Sequence, residues 1–374
     1  MYIRKHLVRK FVIVVAIWSL ISILPLSCYA QNYEQKYFFV KGKNTYRLTV
    51  SVTPSLYEYY NQKEHPLSQT QLAGYVTPYS LALIAEDIRS VFTGEEEFIN
   101  AVLMLVHQIT YRVIDEAKYP VETLVVNEGD CDLLSFIAAS LIKSQNMEVI
   151  LLLYEQESHM NIGINLPSPP KDARTEISYI ENEGVRYYIA ECTGNNWQNG
   201  WRIGECPPEL EGSQVTVISL DGYEQSAPGQ VSSSFGNPET STISLGISSN
   251  IILEGSDVVL SGQVSVSNPS GLVTLYISTQ NNWIAIGNKS LDSIGRYEFL
   301  WNTRSGGYYS VKASWPGNEI YAGADSTIVS IFIIPKFIIL IGGGLFTVII
   351  IYVVLRLKNK KMQDNELYEL PENY

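Results

Sequence analysis

Apolar and polar positions change period several times along the chain, and each change marks an element. Tyr37-Phe38-Phe39-Val40 and Tyr46-Arg47-Leu48-Thr49-Val50-Ser51-Val52 flank the turn signal Gly42-Lys43-Asn44, which predicts a β-hairpin. Thr53 to Gly74 is polar and turn-rich, with Pro54 and Pro66, and its tyrosines read as packing groups. Pro78 opens a helix with Leu81, Leu83, Ile84, Ile88 and Val91 on one face. Thr93-Gly94-Glu95-Glu96-Glu97 caps a second helix and puts acids in its first turn. Helical spacing then runs from Phe98 through Val102, Leu105, Val106 and Ile109 to Tyr111. His107 on that helix reads as a surface or packing histidine. Tyr119 to Leu124 reads as an extended approach to the loop Asn127-Glu128-Gly129-Asp130. Behind that loop, Leu133, Leu134, Ile137, Ala138, Leu141 and Ile142 keep helical spacing.

Strand patterns follow. Met147 to Tyr154 is an apolar run of strand length, His159 to Asn165 alternates, Val185 to Ala190 is apolar, and Val215 to Leu220 is the last of the group. Leu166 to Glu183, with three prolines, reads as a loop. Residues 222–240 are dominated by Ser, Gly, Pro, Gln and Asn and read as a linker. From Ser241 to Ile334, short β segments alternate with turns about every ten residues, a β-sandwich pattern of immunoglobulin type without disulfides.

The two ends differ from everything between them. Residues 1–30 carry Arg4, Lys5, Arg9 and Lys10, an apolar run and a terminal Cys28-Tyr29-Ala30, the form of a secretory signal peptide. Phe337 to Leu355 is apolar throughout. At about 1.5 Å per residue it matches one hydrocarbon core of roughly 30 Å and predicts a transmembrane helix. Arg356, Lys358, Lys360 and Lys361 follow and place the tail, 356–374, in the cytoplasm. The expected location is therefore a cell membrane, crossed once, with the ectodomain outside.

Composition narrows the function classes. Apolar content of 46% and charged content of 17% exclude a disordered chain. The net charge is −12, and the basic residues gather at the two ends, so the ectodomain is more acidic still. That argues against nucleic acid as a partner. Cys131, Cys192 and Cys206 remain once the signal segment is set aside. Their spacing matches no zinc pattern. In an exported chain Cys192 and Cys206 are close enough in sequence to bond, which leaves Cys131 as a free thiol.

Cys131 carries the chemistry. It stands where the acidic loop enters a helix, so it faces unpaired N–H groups and the positive end of the helix dipole. Both favour thiolate over thiol. A thiolate nucleophile needs a base, and the base needs an orienting group. His159 is the one histidine after Cys131 and starts a strand; Glu191 ends a strand able to pair with it. The candidate catalytic set is Cys131, His159 and Glu191, with no metal and no cofactor. The Cys131 N–H is the natural first oxyanion donor.

Four motifs then carry a resemblance: Tyr119-Pro120-Val121-Glu122-Thr123-Leu124, Gly129-Asp130-Cys131-Asp132, His159-Met160-Asn161-Ile162-Gly163 and Tyr187-Tyr188-Ile189-Ala190-Glu191-Cys192-Thr193-Gly194. In this order they resemble the transglutaminase-like superfamily, over about residues 34–220 and closest to its archaeal and bacterial members. The later β segments resemble bacterial and archaeal Ig-like surface modules. The implied fold class is α+β: a papain-like transglutaminase core (31–221), a linker (222–240), an all-β Ig-like sandwich (241–334) and one transmembrane helix (337–355). The implied activity is acyl transfer at amide bonds of a protein or peptide substrate, with cell-envelope components as further partners of the sandwich. The leading expectation is a membrane-anchored peptidase or amidase. The alternatives are a transglutaminase joining Gln and Lys of envelope proteins, or a silent binding or scaffold protein. The superfamily commonly has aspartate where Glu191 stands.

Overall fold

The structure is a computed structural model describing residues 31–337 except 195, 280, 281 and 319. The signal segment, the cytoplasmic tail and all of the 337–355 run except Phe337 lie outside the described residues.

β1 (Tyr33–Lys41) and β2 (Asn44–Val52) form the expected hairpin, in antiparallel register from Tyr33↔Val52 to Lys41↔Asn44. Tyr37 and Phe39 point into the core, while Phe38 faces out. The turn-rich stretch after β2 instead begins with a helix, α1 (Pro54–Asn61). Pro54 sits at its first turn, where a missing N–H costs nothing, and Leu56 and Tyr60 bury at i, i+4 spacing. α2 (Pro78–Val91) follows. α3 (Glu95–Val106) stops before Ile109 and Tyr111; Tyr111 belongs to β3 (Thr110–Tyr111) and is exposed. Tyr119 to Leu124 is not extended. Pro120 starts α4 (Pro120–Val126), and the Glu122 carboxylate accepts the Tyr119 N–H at 2.9 Å, so the segment closes into a helix. Asn127 ends it in the left-handed region at φ 57°, tied down by the Tyr37 hydroxyl at 2.9 Å.

β4 (Glu128–Gly129) pairs parallel with β3 and feeds α5 (Cys131–Ser144), the central helix. Every residue of α5 from Leu133 to Ile142 is buried. At roughly 1.5–3 kcal/mol for each large apolar side chain, this helix anchors the core. Its two buried serines return their hydroxyls to the carbonyls of Cys131 and Phe136. β5 (Val149–Tyr154), β6 (His159–Ile164), β7 (Tyr179–Asn182), β8 (Val185–Ala190) and β9 (Thr216–Ile218) make an antiparallel sheet in the order β7-β8-β6-β5-β9. Met160, Ile162 and Ile164 face the main core, which α5 shares. The other sheet face, with Ile150, Leu152, Tyr187 and Ile189, is covered by Cys206 and Leu210. Within the stretch read as a linker, β10 (Ser232–Ser234) pairs with β2 in the register Ser232↔Ser51.

The remaining strands are β11 (Gly246–Ile247), β12 (Ile251–Leu253), β13 (Asp257–Gln263), β14 (Leu272–Thr279), β15 (Asn282–Ser290), β16 (Arg296–Asn302), β17 (Gly307–Gly317), β18 (Ala322–Asp325) and β19 (Val329–Ile334). They form one sheet in the order β11-β13-β16 and a second in the order β12-β19-β17-β14-β15, with β18 beside β17. Trp315, Val258, Leu260, Leu275, Val311 and Ile331 fill the space between them. This part is bonded to α1. Asp325 Oδ2 accepts the Ser55 N–H at 2.9 Å and its hydroxyl at 2.6 Å, and the Trp283 N–H donates to Gln62 Oε1 at 2.8 Å. Lys312 is buried with its Nζ 4.1 Å from the Trp283 ring centroid and paired to Glu58.

These facts correct the expected fold class, α+β with a papain-like core; the transmembrane helix expected at 337–355 falls, but for Phe337, outside the described residues. Strand makes up 37% of the structure against 22% helix, so sheet dominates the chain. Among the described residues no helix is long and apolar enough to cross a membrane. Strands such as β9, β10, β11 and β12 span only two or three residues, too few to show a period of their own.

Candidate functional site

Three elements meet where the acidic loop enters α5. Cys131 is the first helical residue and is half-buried, with Sγ 3.9 Å from the Ser158 carbonyl oxygen. Its neighbour Asp130 occupies the N-cap position, yet its side chain does not cap the helix. Asp130 Oδ2 accepts the Ile114 N–H at 2.9 Å instead, and Oδ1 is buried without a donor. Asp132 Oδ1 takes the Leu133 N–H at 3.0 Å. The helix terminus next to Cys131 thus keeps free N–H groups.

His159 starts β6 opposite Tyr154. Its Nε2 lies 2.9 Å from Glu191 Oε2, and Cys131 is close enough to act on the ring electrostatically. With Nε2 committed to Glu191, Nδ1 is the nitrogen left for the thiol. Glu191 follows the last residue of β8 and is fully buried. Continuing the Ile162↔Ala190 register sets it across from Asn161. Each carboxylate oxygen is engaged. Oε2 accepts from His159 and from Asn161 Nδ2 at 3.3 Å; Oε1 accepts the Thr193 N–H at 2.8 Å and the Thr193 hydroxyl at 2.6 Å.

Electrostatics follow from these contacts. Burial works against a charged His159, but Cys131 and Glu191 outweigh it and raise the ring from 6.5 to about 10. Burial would likewise raise Glu191, but His159 and the Thr193 donors hold it below the usual carboxylate range. Burial, then the neighbouring Asp130 carboxyl, pushes Asp132 up to about 7. The site can therefore hold an imidazolium against the buried Glu191 carboxylate, with an acid pair beside Cys131.

The structure brings Cys131, His159 and Glu191 together. Sequence reasoning missed Asn161, Thr193 and His107. Thr193 lies two residues past Glu191 and Asn161 two past His159, so spacing alone held a signal. Of the two alternatives, surface or packing, His107 takes the buried one, and it bonds the Glu191 main chain from 84 residues away. The three described cysteines are free. Cys192 lies in the main core and Cys206 in the cluster on the opposite face of the sheet, so the expected pair is not formed. Burial pushes Cys206 up to about 11 and Cys192 well above its ordinary value, which makes both poor nucleophiles. Among the described residues no group of three or more His, Cys, Asp or Glu side chains is placed to hold a metal. A cavity of about 440 Å³ opens at the seam near Tyr79, Glu86, Leu272 and Ile320, and its lining includes none of the three site residues.

No protein-family model matches the chain, and no curated protein matches it. Solved structures give faint likenesses. A chain from a structure of T cell specificity and activation by the bacterial superantigen toxic shock syndrome toxin-1 is 9% identical with a TM-score of 0.20, over 25% of this chain and 99% of that one. Murine CRIg is 12% identical at 0.19, over 25% and 98%. The human OSCAR ligand-binding domain is 14% identical at 0.18, over 46% and 89%. At these scores no argument about this chain rests on them.

Proposed function

We propose that the chain is a cysteine acyl-transfer enzyme, a peptidase or amidase, acting on amide bonds of a protein or peptide substrate. The observation that carries this reading is the juxtaposition of Cys131, His159 and Glu191 at the start of α5, with Glu191 buried and His159 2.9 Å from it. The order of the four motifs, which resembles the transglutaminase-like superfamily, supports the same reading.

The steps follow from the geometry. The Cys131 thiolate attacks the amide carbon, and the carbonyl oxygen becomes an oxyanion beside the N–H groups at the α5 terminus. The C–N bond then breaks as the His159 imidazolium gives its proton to the leaving amine, and a thioester remains on Cys131. Water attacks the thioester as neutral His159 takes its proton. The acid product leaves, and the thiolate–imidazolium pair is restored. Glu191 keeps the ring oriented and balances its charge throughout. The proposal includes an exported location, because residues 1–30 have the form of a signal peptide.

Alkylation of the full chain tests the reading. Iodoacetamide at about pH 6 should label Cys131 well ahead of Cys192 and Cys206, because only a thiolate reacts quickly there. His159→Ala should slow that labelling. Equal labelling of the three thiols, or no change in His159→Ala, overturns the proposal. A trapped thioester offered water and a labelled amine then identifies the acceptor. Uptake of the amine in preference to water would replace hydrolysis by crosslinking.

A further inference from the structure

We infer that His107 is a positioning residue that holds the Glu191 peptide in place for His159; the inference rests on the acyl-transfer reading above. His107 follows the last residue of α3 and is 3% exposed. Its Nε2 lies 3.0 Å from the Glu191 main-chain oxygen. A carbonyl oxygen only accepts, so Nε2 carries the proton and donates. The bond fixes the plane of the peptide that leaves Glu191, and with it the direction in which the side chain departs. Thr193 and Asn161 then hold the far end of that side chain.

The ring is enclosed from its other side by the chain that follows Glu191. An added Cβ on Gly200 would stand 2.3 Å from His107 Nδ1 and 2.8 Å from the Asn196 carbonyl oxygen. A Cβ on Gly194 would stand 3.4 Å from the ring. Gly200 therefore closes onto the imidazole only because it lacks a side chain. Burial holds His107 below its ordinary value, so the ring donates as a neutral group. A neutral donor orients Glu191 without competing with the His159 charge for its carboxylate. The resulting order of support runs from α3 to His107, to Glu191, to His159, to Cys131.

The test is the pH profile of Cys131 alkylation by iodoacetamide in the full chain, with a thermal melt of each variant. His107→Phe fills the same space and removes the donor; His107→Gln keeps a donor. The expected result is alkylation at about pH 6 slowed roughly ten- to a hundredfold in His107→Phe, with the acid limb moved up, and recovery in His107→Gln. If the ring only packs, His107→Phe keeps the wild-type profile, and that result overturns the inference alone. If His107→Phe does not fold, Gly200→Ala decides, since its Cβ displaces the ring. A slowed profile supports the inference and an unchanged one overturns it. A wild type whose Cys131 labels no faster than that of His159→Ala overturns the acyl-transfer reading and the inference together.

Discussion

Glu191 has no polar atom of its side chain left over. Four donors meet two oxygens of a fully buried carboxylate, and one of the four is the His159 ring. A buried carboxylate persists only under such saturation. The histidine should therefore titrate far above its ordinary range. The His159 ring protons should report a midpoint at about 10 by NMR in the wild type. Glu191→Gln and Cys131→Ala each remove a group that raises the ring and should lower that midpoint; a midpoint unmoved by either would show that these two groups do not set it. Asp132 works in the opposite sense. Its folded value is about 7 against 3.8, so the folded chain keeps a proton that the unfolded chain releases. The stability this gives is fully present below about pH 4 and is lost as pH rises through 7. Denaturation midpoints of Asp132→Asn should therefore fall less than those of the wild type between about pH 4 and pH 8. At this scale Cys131, His159 and Glu191 were legible because each stands at an element boundary, Cys131 and His159 with few rivals of their type. His107 was not legible, because its role arises from a contact across 84 residues that no local pattern encodes.

Elements with a clear period and a clear start were legible as well. The hairpin, α2, α5, β5, β6 and β8 all follow their apolar spacing. α1 and α4 were not, and for one shared reason: a proline that opens a helix reads like a proline that interrupts one. Pro54 and Pro120 both sit in the first turn. β6 also shows how tightly the site is built. An added Cβ at Gly163 would approach Tyr187 Cβ to 2.9 Å and Ile150 Cγ1 to 3.1 Å, both rigid neighbours on adjoining strands. Gly163→Ala should destabilise the chain by about 1–3 kcal/mol, read from chemical denaturation. It should also slow Cys131 alkylation, because β6 carries His159. An unchanged denaturation midpoint would mean that the sheet absorbs the methyl group.

Across the whole molecule the sequence was least informative. Composition marked residues 222–240 as a spacer, and no pattern within them indicates that Ser232–Ser234 would pair with β2. Nor does any local signal join Lys312 to Glu58, 254 residues away. The sandwich is held by such contacts, and its burial of Lys312 between Glu58 and the Trp283 ring is the most specific of them. Lys312→Met keeps the volume but leaves the Glu58 carboxylate without its partner. Calorimetry should then resolve two unfolding transitions where the wild type shows one. A single transition in the variant would place the coupling elsewhere along the seam.

The pairing of β10 with β2 has a consequence for biosynthesis. β2 lies between β1 and β10, so one of its edges has no partner until Ser232–Ser234 exists. A nascent chain that has emerged only as far as β9 carries all the site residues but an unfinished sheet, with an open edge able to pair with other chains. Maturation is therefore expected to be vectorial, with Cys131 on an incomplete scaffold until synthesis has passed Ser234. Chains arrested before that point should need a holdase, and chains arrested just beyond it should not.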